Sequence, residues 1–67
     1  MTIEKGDLFR IKSEVYDNDL FIILGKKEDL PYVDETFGEP FRYLVLETGD
    51  EGWDYSGIIS DNAEKIG

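Results

Sequence analysis

The chain has 67 residues, 40% of them apolar, and a formal net charge of −9 from 16 acids against 7 bases. It contains no cysteine and no histidine, which excludes disulfides, thiolate or imidazole metal sites, and catalysis by a Ser–His–Asp triad or a thiolate. A surface this acidic repels phosphate backbones, so direct binding to DNA or RNA is not expected.

The length implies one domain, near the lower limit of what folds unaided. Stability must come from apolar burial, and the four Phe, four Tyr and one Trp are its main source. Each aromatic side chain buries about 150–250 Å². A core this small is helped by self-association, so a monomer or weak homo-oligomer is expected. The opening MTIEKGDLF lacks the basic-then-apolar layout of a secretory signal, and LFIIL (20–24) is far short of the roughly 20 residues of a membrane span. A cytoplasmic protein without membrane contact is expected.

Along the chain the strand signals dominate, because no window keeps helical apolar spacing for two turns. After the turn pair Gly6-Asp7, LFRIK (8–12) alternates, with Phe9 and Ile11 on one face and Arg10 and Lys12 on the other. YDND (16–19) is a polar turn. LFIILG (20–25) is apolar on both faces, as a central strand is.

Residues 25–40, GKKEDLPYVDETFGEP, form a long connection, and long connections are often functional. Leu30, Tyr32, Val33 and Phe37 are too apolar for a purely solvated loop. Either they fold back to cap an open end or add a strand, or they form an aromatic recognition loop among Glu28, Asp29, Asp34, Glu35 and Glu39. FRYLVLET (41–48) is the next strand, TGDEG (48–52) the hairpin turn, and WDYSGII (53–59) the returning strand. Trp53, Tyr55 and one of Ile58 and Ile59 are expected to face inward. Ser60-Asp61-Asn62 closes a single helical turn, and EKI (64–66) makes a final edge strand.

The ending GIISDNAEKI resembles the SH3 ending G-[LI]-[FI]-P-S-N-Y-V-x-x-[IL], through Gly57, Ile58, Ile59, Asn62 and the segment Glu64-Lys65-Ile66. The beginning, Gly6-Asp7-Leu8-Phe9-Arg10-Ile11, is similar to the opening strand of small SH3-like and KOW-like proteins, especially short acidic ones encoded by tailed bacteriophages. Leu24-Gly25, Val45-Leu46 and Asn62 to Ile66 match the rest of that pattern. The resemblance implies an all-β fold: a five-stranded SH3-like barrel with a long loop between strands 2 and 3 and a one-turn helix before the last strand.

Two departures bear on function. The proline of the SH3 ending is Ser60 here, and the tyrosine after its asparagine is Ala63. A groove that reads proline helices needs those aromatic walls, so proline-motif binding is not expected. The basic loops of KOW-type proteins are replaced by GDEG and YDND, which removes a ribosomal or nucleic-acid role.

The chemistry left is binding. DNDLFIILGKKE fails as a calcium loop because Phe21 and Ile22 stand where an oxygen ligand and a glycine are needed. No catalytic, metal or cofactor site is expected, and paired acids such as Asp50 and Glu51 read as solvated hairpin charges. The expected function is a non-enzymatic protein-binding module, a phage-type accessory factor acting in the host cytoplasm. Tyr16, Asp17 and Asp19, then Tyr32, Asp34, Glu35 and Phe37, then Asp50, Glu51 and Trp53 would meet a protein with a basic surface. Trp53 and Tyr55 read either as an exposed recognition pair or as core. The alternatives are a mimic of nucleic-acid charge that inhibits a host enzyme, and a small virion or assembly component.

Overall fold

The computed structural model describes residues 3–12 and 19–66. Five antiparallel strands form one sheet in the order β4-β3-β2-β1-β5. They are β1 (Leu8–Ile11), β2 (Leu20–Lys26), β3 (Pro40–Val45), β4 (Glu51–Tyr55) and β5 (Ala63–Lys65). A 3-10 turn, Glu35–Phe37, interrupts the long connection, and helix α1 (Ser56–Asn62) joins β4 to β5.

The alternation read at LFRIK holds. Phe9 is fully buried opposite Phe21, the two rings stacked at 5.5 Å, and Ile11 packs against the same core. Across the sheet the inward residues are Phe21 and Ile23 on β2 and Phe41, Tyr43 and Val45 on β3. Ile3, Ile59 and Ala63 close the core from the N-terminal segment, α1 and β5. The register of β2 against β3 shifts at a bulge between Ile23 and Gly25, and a bulge bends and twists the strand that carries it. The outward residues Leu8, Ile22, Leu24 and Leu44 are half-buried, so β2 is apolar on both faces, as its sequence requires.

The second half departs from expectation: β4 begins at Glu51, inside the segment expected as turn, and β5 runs Ala63–Lys65 where 64–66 was expected. The third strand stops at Val45, because Leu46 to Asp50 form the hairpin loop, tied by Gly49 N–H to the Val45 carbonyl at 2.8 Å. The helix takes over at Ser56 and runs for seven residues, so Gly57 to Ile59 are helical and the helix is longer than one turn. Ser60 is the reason that this is possible, since a proline there would remove an N–H from the second turn and clash with the first. The Asn62 side chain donates back to the Ile58 carbonyl at 2.9 Å and finishes the turn.

Trp53 and Tyr55 face outward, not inward. Their strand presents Gly52 and Asp54 to the inner side, opposite Tyr43 and Phe41. A Cβ on Gly52 would lie 2.7 Å from the Tyr43 hydroxyl oxygen, so the Tyr43 ring fills the space that an inward side chain of β4 would need.

Removing the central ring tests this core. Phe9→Ala costs about 3–5 kcal/mol, comparable to the whole stability of a small domain. The expected result is loss of the cooperative unfolding transition in circular dichroism at room temperature.

Candidate functional site

Three features of the surface lie within reach of a partner. The first is a carboxylate-rich end of the sheet. The Leu46 N–H bonds the Leu20 carbonyl and the Val45 N–H bonds the Asp50 carbonyl, which brings the start of β2 beside the β3–β4 hairpin. The Lys12 N–H bonds the Asn62 carbonyl, which adds the end of α1. Asp19, Glu47, Asp50, Glu51 and Asp61 therefore share one end, with Lys12 as the base among them. The ion pairs among the described residues engage none of these five acids. They are Arg10–Glu64, Lys26–Glu39 at 3.2 Å, Lys27–Asp29 at 2.9 Å and Lys65–Asp7 at 3.5 Å. Most of the bases thus neutralise acids elsewhere, and this end keeps its negative charge.

The second feature is an aromatic ladder on the outside of β4. Trp53 meets Tyr55 edge-on at 5.4 Å, and Tyr55 meets Phe37 at 5.8 Å. Trp53 is 39% and Phe37 44% exposed, whereas Tyr55 between them is half-buried. The long connection is folded onto this ladder. Asp34 caps the 3-10 turn by accepting from Thr36 N–H at 3.1 Å, and its own N–H donates to the Tyr55 hydroxyl at 3.2 Å. Ser56 and Glu39 exchange two bonds: Ser56 N–H donates to the Glu39 carbonyl at 2.7 Å, and Glu39 N–H to the Ser56 hydroxyl at 3.1 Å. Beside Trp53, Leu24, Lys27 and Arg42 line a shallow cleft of about 280 Å³.

The third feature is an apolar groove of about 220 Å³ between α1 and the inner side of β3 and β4. Ile11, Tyr43, Val45 and Ile58 line it, and Asp54 is the one charged group in its described wall. Asp54 also turns its carboxylate onto the Tyr55 N–H at 2.8 Å.

Of the residues expected to meet a partner, Tyr16 and Asp17 lie outside the described residues. Asp19, Asp50 and Glu51 come together at the acidic end. Asp34, Glu35, Phe37 and Trp53 are gathered along the ladder, with Asp34 already engaged as a cap. Tyr32 stands apart at 75% exposure. The long loop folds back onto β4 at Phe37 and leaves Tyr32 and Phe37 exposed. Of the two readings of Trp53 and Tyr55, the outward one fits the parity of β4. The contact of Tyr55 with Phe37, and Asp54 as a groove wall, were not foreseen, because both follow from the strand parity that Gly52 permits. No group of three or more carboxylates among the described residues is gathered tightly enough to hold a metal ion. No helix among them is long and apolar enough to cross a membrane.

No protein-family model, no curated protein and no solved structure matches this chain.

Two measurements check the loop. Gly57→Ala would place a Cβ 2.7 Å from the Phe37 carbonyl oxygen, a backbone atom that cannot swing aside. The turn must then part from α1, and faster amide exchange at 34–39 is expected with β1 and β2 unchanged. Separately, the Lys27 side chain bonds Asp29 and holds its carboxyl below the ordinary aspartate value. The contribution of this pair is complete above the ordinary aspartate range and is lost as pH falls through the lowered value. An NMR titration of Asp29 should show that depression, and Lys27→Met should reduce it, leaving the part held by the backbone hydrogen bond to Asp29.

Proposed function

We propose that the chain is a small acidic SH3-like barrel that works without catalysis, as an accessory protein of the phage type, by docking on a basic surface of another protein. The observation that carries this is the separation of charge. Asp19, Glu47, Asp50, Glu51 and Asp61 stand together without ion pairs among the described residues, next to a ladder with exposed Trp53 and Phe37. Unpaired carboxylates speed encounter with a basic partner, and exposed aromatic rings supply the desolvated anchors that hold it. The barrel reading is supported by the strand order, by the bulge that bends β2, and by the helix set directly before the last strand.

The same five carboxylates favour a second reading, a mimic of nucleic-acid charge, since a mimic needs its acids on one part of the surface. The two readings differ in what displaces the partner.

Affinity capture from a bacterial lysate at two salt concentrations, with the chain and with its E47Q/D50N/E51Q variant, tests the docking reading. A protein set held at low salt, released at about 1 M salt, where screening shortens to ~3 Å, and lost with the variant is the expected outcome. Capture of nothing above background at low salt overturns it. Displacement of the captured protein by duplex DNA selects the mimic.

A further inference from the structure

The two edges of the sheet are not alike. β5 has three residues and ends in Lys65, which pairs with Asp7. Short length and an edge lysine are the usual protections against further strand pairing. β4 has five residues, Glu51–Tyr55, with no lysine, no proline and no bulge. Its protection is acidic, Glu51 and the inward Asp54, which repel another acidic edge and admit a basic one.

The backbone of β4 shows which of its groups are left over. Bonded and non-bonded residue pairs alternate along an antiparallel ladder. Val45 with Asp50 and Ser56 with Glu39 are bonded pairs, which makes Tyr43 with Gly52 and Phe41 with Asp54 bonded pairs too. Glu51, Trp53 and Tyr55 then turn their N–H and C=O groups away from β3. The Asp54 carboxylate takes the Tyr55 N–H. The backbone groups of Glu51 and Trp53 have no partner among the described residues.

Building on the docking reading above, we propose that the β4 edge is a strand-pairing site for an extended segment of a partner protein in which basic and apolar residues alternate. The charge on each face selects that pattern. On the outer face a paired strand lies beside Trp53 and Tyr55, where the aromatic ladder accepts apolar side chains and Arg42, opposite Trp53, disfavours a second cation, Glu51 being the one acid of that face, at its hairpin end. On the inner face it lies beside Asp50 and Asp54, the latter in the groove against α1. A Lys or Arg stem fits that apolar wall with its charge toward the carboxylates. A second copy of this chain is disfavoured, because its edge brings Asp50, Glu51 and Asp54 against the same three acids at a net charge of −9 on each molecule.

Strand pairing and simple charge attraction separate in one experiment. The isotope-labelled protein is titrated with a short alternating Lys–Val peptide, and with the same peptide N-methylated at every amide, which keeps the side chains and charge but cannot pair. Binding of the first, with the largest amide changes at Glu51 and Trp53, and about tenfold weaker binding of the second is expected. Glu51→Pro should weaken binding about tenfold beyond Glu51→Gln, since only the proline removes the outward N–H. Native amide dispersion in both variants confirms that they fold. Equal binding of the two peptides overturns strand pairing and leaves charge-steered docking in place. Binding of neither peptide overturns strand pairing as well, and the lysate capture then decides the docking reading separately.

Discussion

The register that sets Phe9 opposite Phe21 governs the rest of the molecule. Side chains alternate across a strand with a period of two, so a slip by one residue would turn every core residue of β1 outward. The stacked rings make the correct register the one in which Phe9 is wholly buried. β2 carries this register to β3 on one side, and β1 carries it to β5 on the other. With no cysteine or metal-binding histidine to cross-link the chain, this chain of registers is what fixes the fold.

From the same parity comes the surface. Once Phe41, Tyr43 and Val45 point inward, their neighbours on β4 are Gly52 and Asp54, and the aromatic residues of that strand must face out. The Tyr43 ring over Gly52 makes the exchange mutual: a core ring is gained from β3, and two rings are presented by β4. The outward aromatic face of β4 is thus set by the packing of the core. The long connection takes its shape from that surface, through Asp34 on Tyr55 and Glu39 on Ser56.

Much of the first half was legible in the residues. Period-two alternation at LFRIK and a two-sided apolar run at LFIILG each have one consistent reading, and both strands lie where the pattern puts them. The segment WDYSGII was harder, because a glycine beside β-forming residues suits a strand or a helix start equally. Tertiary contacts decided it: Glu39 supplies the first bonds of α1, and the Phe37 carbonyl approaches Gly57 too closely for any other residue. The candidate acids were visible as a composition, but which of them stay unpaired depends on where the bases sit. Lys26, Lys27 and Lys65 are committed to Glu39, Asp29 and Asp7, and no local pattern announces those pairs.

The pairing of β1 with β5 also has a consequence in time. Arg10 and Glu64 face each other from opposite ends of the sequence, and Ile66 bonds back to the Leu8 carbonyl. The β2–β3–β4 meander can pair between neighbouring segments, but β1 gains its second neighbour only when the distant β5 comes back to it. Folding of this kind, dominated by distant pairings, is slow and finishes late. Until β5 docks, that edge of β1 is open to other strands, and a net charge of −9 disfavours pairing between copies of the chain.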